Sequence, residues 1–247
     1  MKKFFAQFGA YYIFILTVFS RPQRMSWFRR QLVHEMMSLG INSLTIVTII
    51  SLFMGAVITI QTAYNIDSPF IPIYAVGLAT RDSIILEFSP TIISLILAGK
   101  VGSNIASEIG TMRVTEQIDA LEIMGINSAS YLVLPKIVAA LLINPFLVLL
   151  SMFLGIFGGW IFGVFAGSVT TTEYEIGIQY AFKVFYVTYA LIKTVFFAFI
   201  ITSVPAFYGY FTQGGALEVG TSSTKAVVVS SIFILIVNYI LTQLLLA

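Results

Sequence analysis

The 247-residue sequence contains no cysteine and only one histidine. The absence of cysteine excludes disulfides, thiolate metal sites and cysteine nucleophiles. The single histidine, His34, is followed by Glu35, but the second histidine of a zinc-protease helix is missing. Most catalytic and metal-binding constellations are therefore excluded, and the sequence predicts neither a catalytic residue nor a metal site.

Charge is also scarce. Charged residues make up 10% of the chain and hydrophobic residues 58%, with a mean hydropathy of +0.97. A soluble domain usually has about 25% charged residues, so this chain cannot cover a water-exposed surface. The 22 Phe and 12 Tyr exclude a disordered chain, and the formal net charge of +2 is too small for a nucleic-acid partner. The composition predicts an integral membrane protein.

Long stretches without charge predict membrane-spanning helices, each of which needs roughly 20 mostly apolar residues. The 36 uncharged residues between Lys136 and Glu173 would form a helix of about 54 Å, too long for one span and too short for two with a turn. We expect one span there, with an extension broken at Pro145 or near Gly167. The five predicted spans are Ile41–Tyr64, Ile71–Gly99, Leu141–Phe165, Tyr189–Phe211 and Ala226–Leu246.

The first apolar stretch, Phe4–Phe19, would reach only about 24 Å as a helix. The residues that follow it, Ser20-Arg21-Pro22, offer no small-residue cleavage site. We therefore expect an uncleaved helix lying in the membrane interface rather than a sixth span. Its apolar stripe at three- and four-residue spacing consists of Phe4, Phe8, Tyr11, Tyr12, Ile15 and Phe19.

The distribution of lysine and arginine predicts the orientation, because these residues favour cytoplasmic loops. With five spans and a cytoplasmic N-terminus, ten basic residues fall on the inner side. Only Arg81, Lys183 and Lys193 fall on the outer half. The C-terminus is therefore expected outside. The inner basic residues are Lys2, Lys3, Arg21, Arg24, Arg29, Arg30, Lys100, Arg113, Lys136 and Lys225.

The largest predicted inner loop, between spans two and three, contains an amphipathic segment, Thr111–Met124. We expect one helix there, ending at Gly125 in a left-handed conformation. Helices that rest on lipid favour Lys and Arg on their polar face, whereas this helix and the residues just before it have one arginine and four acidic residues, Glu108, Glu116, Asp119 and Glu122. Docking to a protein is therefore favoured over contact with lipid, and a simple connector remains the alternative. The apolar stripe is Val114, Ile118, Leu121 and Met124.

Glu87 lies inside the second predicted span, about 20 Å from Lys100 along the helix. An ionisable side chain inside a span is costly and by default faces the interior of the bundle. Pro90 cannot donate to the carbonyl of Leu86, so a free carbonyl should lie beside the carboxylate. This combination is suited to lining a cavity; the alternative is a glutamate retained for packing. Arg81 and Asp82, nearer the outer surface, are expected to be interfacial anchors.

The third span has a small residue at every fourth position, which allows the backbone of a neighbouring helix to approach closely. We expect this ridge to serve helix packing, within or between protomers, and no chemistry. Its members are Ser151, Gly155, Gly159, Gly163 and Gly167.

The segment EIGTMRVTEQIDALEIMG, from Glu108 to Gly125, closely resembles the signature of MlaE-type permeases, the membrane subunits of ABC transporters that move phospholipids. The resemblance continues through YLVLPK from Tyr131 and GGALEVGTSSTKAVV from Gly214, and it covers most of the chain from about Gly40. The chain departs from the family pattern at Leu86 and Thr221, where arginine is common, and at Asn238, where aspartate is usual.

The resemblance implies an all-α polytopic protein with an interfacial helix, five spans and a cytoplasmic coupling helix. It implies a homodimer in the bacterial inner membrane that works with a separate P-loop ATPase and an MCE-domain lipid-binding protein. Residues 1–247 would form one permease domain, with an N-terminal interfacial and cytoplasmic segment at 1–40 and the bundle at 41–247. The implied phospholipid-binding residues are Glu87, Leu86, Phe88 and Pro90, and the implied ATPase-coupling residues are Glu108, Arg113, Glu116, Asp119 and Leu121.

The chain has no Walker A loop, because Gly99-Lys100 lacks both the earlier glycine and the following hydroxyl. ATP and Mg²⁺ are therefore expected on a partner chain, with no cofactor bound here. A proton-coupled secondary transporter using Glu87 is the alternative function, although the halves show no convincing internal repeat. An intramembrane enzyme is disfavoured by the lack of cysteine and the single histidine.

Overall fold

In the computed structural model, residues 2–20, 25–66 and 71–246 are described, without the side chains of residues 2–5 and 26. Arg21 and Arg24, which contribute to the predicted orientation, lie outside the described residues, as do the side chains of Lys2, Lys3 and Phe4. The described secondary structure is helical. Its helices are α1 (Lys2–Phe19), α2 (Met25–Asn65), α3 (Tyr74–Val114), α4 (Gln117–Ile123), α5 (Ser128–Phe165), α6 (Thr171–Gln179), α7 (Val184–Tyr210) and α8 (Ala216–Leu246).

Five of these helices are long and apolar enough to cross a membrane: α2, α3, α5, α7 and α8. The predicted all-α, multi-pass architecture with five spans is therefore confirmed, and α1 is a shorter apolar helix as expected. The observed helices extend beyond the predicted apolar stretches. For example, α3 continues past Lys100 to Val114, because Ile105, Ala106 and Ile109 bury an apolar face on this extension.

The sequence predicts that the third span is broken at Pro145 or near Gly167, and the second of these alternatives is confirmed. Helix α5 runs through Pro145 without interruption, so the first of the two alternatives does not occur. A proline removes one helical hydrogen bond, but the surrounding helix buries Leu147 and Val148 almost completely, which favours its continuation. The helix ends instead beside Gly167, whose φ of +67° is the left-handed conformation typical of a helix C-terminus.

The chain folds into two compact units, each assembled from separate stretches of sequence. The first comprises Met1–Ile41, Leu95–Ile143 and Phe196–Ile240, and the second comprises Asn42–Ser94, Asn144–Val195 and Leu241–Ala247. In the first unit, α1 packs against α7 through Phe14, whose ring centroid lies 5.1–5.8 Å from those of Phe207, Tyr210 and Phe211.

The packed face of α1 only partly coincides with its predicted stripe. Phe14 and Val18, which the stripe omits, are buried, whereas Phe8, Tyr12 and Phe19 are about half exposed or more. Tyr11 shares a 2.7 Å hydrogen bond with the Ser203 hydroxyl of α7. Helix α1 is thus held through one face and presents aromatic side chains on the other.

In the second unit, the small residues of α5 lie against α2. A Cβ added to Gly55 would collide with the Gly155 carbonyl oxygen, and one added to Gly158 would collide with the Leu52 carbonyl oxygen. Gly159 and Gly163 face Thr59 in the same way. These close approaches are the packing for which the four-residue spacing is suited. Gly167, by contrast, ends the helix and has no neighbour within 4 Å of an added Cβ.

Candidate functional site

The candidate site begins at an irregular turn of α3. Residues Ile84–Ile92 are π-helical and contain Pro90. A π-helical turn inside an α-helix is rare and frequent at functional sites. The Leu86 carbonyl, which Pro90 cannot satisfy, accepts a 3.3 Å hydrogen bond from the Lys193 ammonium of α7. The Leu86 carbonyl beside Glu87 therefore contacts a cation, as a polar spot there predicts. In this π-helical turn, however, backbone bonds run to the residue five positions back, so the donor missing at Pro90 concerns the carbonyl of Ile85 rather than that of Leu86.

Lys193 and Glu87 form an ion pair, with 2.7 Å between Nζ and Oε1. The hydroxyls of Thr91 and Thr242 donate to the same carboxylate at 3.1 Å and 3.3 Å. The Tyr189 hydroxyl lies 2.9 Å from that of Thr242. The two opposite charges inside the spans are thus joined by a continuous polar network, which lowers the cost of keeping each of them there.

The two ends of this ion pair differ in exposure. The Lys193 side chain is 0% exposed and lies over the Tyr189 ring, with Nζ 4.5 Å from the ring centroid. The Glu87 side chain is 43% exposed. The pair therefore presents its negative end outward and keeps its positive end inside the protein.

The spacing of Lys193 and Glu87 in the sequence does not indicate that they are partners. The two residues are 106 positions apart, and in the sequence Lys193 contributes only to the predicted orientation. The available signal was its place inside the predicted span Tyr189–Phe211, because a charge within a span requires a partner. The other predicted substrate-binding residues have different surroundings. Leu86 is half-buried, Pro90 is buried, and Phe88 lines a small cavity beside Ser51, Ser89 and Ser151.

Arg81 is not the interfacial anchor that its position predicts. It is 1% exposed, and its guanidinium donates to Asp82 Oδ1 at 2.9 Å and to the carbonyls of Ile178 and Tyr180 at 2.7 Å and 2.8 Å. The guanidinium also lies over the Phe182 ring, 5.6 Å from its centroid. Arg81 instead fastens the C-terminal end of α6 to α3, because its several donors satisfy carbonyls that a helix end leaves unpaired.

The predicted coupling helix Thr111–Met124 is two helices, so the prediction of a single helix is wrong. Helix α3 ends at Val114 and α4 begins at Gln117, and between them Glu116 adopts a left-handed conformation with φ of 61°. The break is stabilised across its two sides, because Arg113 on α3 forms a 2.6 Å ion pair with Asp119 on α4.

The break also divides the predicted apolar stripe. Ile118 is fully buried and Leu121 is half-buried, whereas Met124 is 65% exposed and the neighbouring Ile123 is 88% exposed. The left-handed end predicted at Gly125 is confirmed by its φ of +74°. The amide of Gly125 donates to the Glu122 carbonyl and that of Ile126 to the Leu121 carbonyl.

Glu108, a predicted coupling residue, is already paired within the protein. Its carboxylate lies 2.8 Å from Lys136 Nζ, which also contacts Glu35 at 2.9 Å. Lys136 and Glu35 are buried, and no pattern in the sequence predicts their pairing. The network joins α2, α3 and α5 within the first unit. Of the other predicted coupling residues, Glu116 is exposed and Leu121 is half-buried.

Glu122 ties α4 to α5 and α7. The Tyr210 hydroxyl donates to its carboxylate at 2.8 Å and the Ser128 hydroxyl at 2.9 Å. These two hydrogen bonds lower the pKa of Glu122 below its ordinary value, and Arg113 adds a smaller effect in the same direction. Glu122 is not among the predicted coupling residues. Its carboxylate instead accepts hydrogen bonds that hold α4 against α5 and α7.

A larger cavity of about 990 Å³ lies in the first unit between α1, the end of α7 and the start of α8. Its lining includes the apolar residues Phe207 and Phe211 and the polar residues Thr221 and Lys225. Among the described residues, no group of three or more histidine, aspartate or glutamate side chains is placed to hold a metal ion.

Five long apolar helices with a fixed ion pair among them define a multi-pass α-helical membrane protein. The family model described as Permease MlaE matches residues 32–244. The chain belongs to the MlaE permease family.

Named relatives agree with this family. A probable ABC transporter permease protein of Rickettsia felis is 35% identical over 98% of this chain and 93% of its own length. The intermembrane phospholipid transport system permease protein MlaE of Haemophilus influenzae is 31% identical over 86% of this chain and 82% of its own. Protein TRIGALACTOSYLDIACYLGLYCEROL 1, chloroplastic, of Arabidopsis thaliana is 30% identical over 87% of this chain and 61% of its own.

Proposed function

We propose that this chain is the membrane subunit of an ABC transporter that moves phospholipid between the bacterial inner membrane and a periplasmic MCE-type lipid carrier. Membership of the MlaE permease family over residues 32–244 carries the proposal. The name of the Haemophilus influenzae relative refers to intermembrane phospholipid transport, and that of the Rickettsia felis relative to an ABC transporter. ATP hydrolysis, with Mg²⁺, takes place on a separate P-loop subunit.

The ion pair of Glu87 and Lys193 supports a role for α3 in contacting the phospholipid. A carboxylate that is 43% exposed inside a span is costly against lipid tails, so it faces a polar cavity. Two copies of the chain enclose that cavity, because five spans in one copy make a thin wall around a two-chained lipid. Leu86, Phe88 and Pro90 shape the same turn of α3.

The segment between Val114 and Ser128 docks the ATPase. It lies outside the five apolar spans, and its exposed apolar residues Ile123 and Met124 are suited to a groove on a protein partner. Exposed charged residues around them, including Glu116, fix the position of the segment on its protein partner more than they strengthen the binding. The N-terminus is cytoplasmic and the C-terminus periplasmic, as the distribution of basic residues favours.

Reconstitution tests the proposal. The chain is placed in proteoliposomes with its candidate ATPase and carrier, and transfer of labelled phospholipid is measured with and without ATP. We expect transfer that requires ATP and stops when the Walker A lysine of the ATPase is replaced. Transfer that follows an imposed proton gradient and ignores ATP would instead support a proton-coupled secondary transporter.

A further inference from the structure

Lys136 lies between two carboxylates that differ in exposure. Its ammonium donates to Glu35 Oε1 at 2.9 Å and to Glu108 Oε1 and Oε2 at 3.0 Å and 2.8 Å. These contacts use all three N–H donors of the ammonium. The side chains of Lys136 and Glu35 are 6% and 5% exposed, whereas that of Glu108 is 45% exposed. The network therefore has a buried half and an exposed half.

The two halves differ in how easily they separate. Taking Glu35 away from Lys136 would leave buried charges without their partners, which is strongly destabilising. Glu108 can exchange the ammonium for water, because its side chain is already partly exposed and ion pairs at such positions contribute little. Its departure also leaves a neutral buried pair, since two carboxylates share one ammonium. Gln31, which donates to Glu35 Oε1 at 2.9 Å, supports the pair that remains.

Glu108 lies on the part of α3 that leads to the ATPase-docking segment, six positions before α3 ends at Val114 and about 9 Å from that end along the helix. One face of this part packs closely on α7. A Cβ added to Gly209 of α7 would collide with the Ala106 carbonyl oxygen and would lie 3.1 Å from the Cβ of Ile109. Toward α2 and α5, by contrast, Glu108 makes the partly exposed ionic contact. This part of α3 is therefore joined firmly to α7 and releasably to α2 and α5.

We propose that Lys136 is a positioning residue for energy coupling, which keeps its bond to Glu35 and releases Glu108 when the ATPase moves the docking segment. The inference rests on the proposed function and deepens it by naming a contact that opens and closes in each cycle. While Glu108 is bound, the end of α3 is held to α2 and α5. After release, it moves with α7. Because the contact forms within one chain, we expect it to be closed without nucleotide and open with bound ATP.

The first test measures the contact with a carbodiimide. This reagent activates an exposed carboxylate, and an amine in contact with the activated group then forms an amide while the reagent leaves as a urea. Glu108 Oε2 lies 2.8 Å from Lys136 Nζ, so these side chains should form an internal amide, counted by mass spectrometry of the digested complex. The yield is compared between the nucleotide-free complex and a complex whose ATPase binds ATP and Mg²⁺ but cannot hydrolyse ATP.

We expect the amide yield to be about threefold lower, or lower still, in the ATP-bound complex. Glu108→Ala has no carboxylate to activate at this position and should give no such amide in either state. An equal yield in both states, including no amide in either, would overturn the inference, and so would a higher yield with ATP.

The second test measures coupling. Glu108→Ala leaves the buried pair of Lys136 and Glu35 in place, so its unfolding temperature in detergent should stay close to that of the unaltered chain. The amount of phospholipid transferred per ATP hydrolysed should fall by about threefold or more, because the end of α3 is no longer held in the closed state. Glu175→Ala, the same change at an exposed position of α6, is the matched control and should alter neither quantity.

A purely structural role for the contact would lower the unfolding temperature and leave the transfer per ATP unchanged. An unchanged ratio in Glu108→Ala would therefore overturn the inference. If Glu108→Ala does not fold, the amide yields of the unaltered complex decide.

Failure of this inference is distinguishable from failure of the proposed function. ATP-dependent transfer by the unaltered complex, together with equal amide yields in both nucleotide states, would overturn only the role of Lys136. A complex without ATP-dependent transfer would overturn the proposed function and this inference with it.

Discussion

At the scale of single residues, the chain keeps its few charges inside the spans by pairing them. Glu87 and Lys193 lie on different helices and satisfy each other at 2.7 Å, with Thr91 and Thr242 completing the network. Arg81 is satisfied by two backbone carbonyls and Asp82. Each charge therefore has a fixed position, which allows it to face a ligand or hold a helix end without the cost of an unpaired ion.

Glu87→Leu should destabilise the protein and reduce lipid transfer. The change leaves the buried ammonium of Lys193 without its carboxylate, and removing one partner of a buried pair costs about 3–5 kcal/mol. Because the Glu87 side chain is 43% exposed, we expect the free energy of unfolding to fall by about 3 kcal/mol, the low end of that range. The measurements are unfolding in detergent and transfer in proteoliposomes.

The double variant Glu87→Leu with Lys193→Met is the control for this prediction. It removes both charges, so stability should return while transfer stays low. Normal transfer in Glu87→Leu would mean that the glutamate serves packing alone.

The contact of Glu122 should weaken in acid. Its pKa is lowered in the folded protein by the hydroxyls of Tyr210 and Ser128, so the contact is complete above the ordinary value of 4.5. It is lost as the pH falls through the lowered pKa. Because the chain has no cysteine, Met124→Cys gives a unique site for a spin label. We expect label mobility to rise on acidification below pH 4.5, and to show no such step in a Glu122→Gln background.

At the scale of helices, α2 and α5 are joined through backbone contact. Gly55 and Gly155 approach so closely that no side chain fits between them. The hydroxyls of Ser51 and Ser151 add a 2.8 Å hydrogen bond on the same face. In an apolar environment, such close packing and short polar contacts take the place of the hydrophobic effect in joining helices.

Gly55→Ala should destabilise this helix pair. The added methyl group collides with the Gly155 carbonyl, and overpacking typically costs about 1–3 kcal/mol. Gly99→Ala is the matched control within α3, because its added Cβ meets no atom within 4 Å. The comparison is thermal unfolding of both variants in detergent. Equal stability of the two would show that the helices separate slightly at little cost.

Helix α4 and the turn after it should carry the contact with the ATPase. Ile123→Asp places a charge at a position that is 88% exposed, so it should leave insertion intact and abolish ATPase binding and stimulation. Leu121→Asp, at a half-buried position, should also abolish coupling, with some loss of local packing. Arg113→Glu should weaken coupling in a salt-sensitive way and should also disturb the turn, because it removes the pair with Asp119.

The measurements are ATPase activity of the reconstituted complex and pull-down of the ATPase by each variant. Ile118→Asp is the contrasting control, because Ile118 is fully buried and its replacement should disturb the fold itself. Full coupling in Ile123→Asp and Leu121→Asp together would show that the segment is only a connector.

At the scale of the whole molecule, the five spans differ in how much of them is covered within one copy. In an apolar stretch of 18 residues from α8, only 17% of the residues are buried within the chain. The corresponding share in the other four spans is 39–56%. Exposed apolar residues such as Val228, Ile232 and Leu235 lie along it. Because so much of α8 is uncovered, we expect this helix at the interface of the proposed homodimer.

Crosslinking in native membranes should therefore detect a homodimer. Ile232→Cys gives a single thiol on the exposed face of α8 and should form a disulfide-linked dimer on oxidation. Phe153→Cys, equally in a span and 67% exposed on α5, is the control and should crosslink less. If cysteines along α8 give no crosslinked dimer, the assignment of this helix to the interface is contradicted. If cysteines in every span give no crosslinked dimer, the homodimer itself is contradicted.

Local sequence properties determined the class and the architecture. Stretches without charge located all five spans, because the cost of charge in a bilayer acts on each segment separately. Gly125 was correctly predicted to end a helix, since only the local backbone decides this. The four-residue spacing in α5 indicated a packing face, but the positions that meet it, Gly55 and Thr59, depend on how two distant helices are paired.

The tertiary structure alone decided the pairing of charges and the exposure of each side chain. The partner of Glu87 is 106 residues away, and Glu35, Lys136 and Glu108 come from three different helices. The left-handed turn at Glu116 has no glycine from which it could be predicted. Pro145 is tolerated inside its helix because residues before and after it in the sequence are buried. Long-range contacts override local preference at these positions, because the energy of packing and of ion pairing exceeds the cost of one strained residue or one missing hydrogen bond.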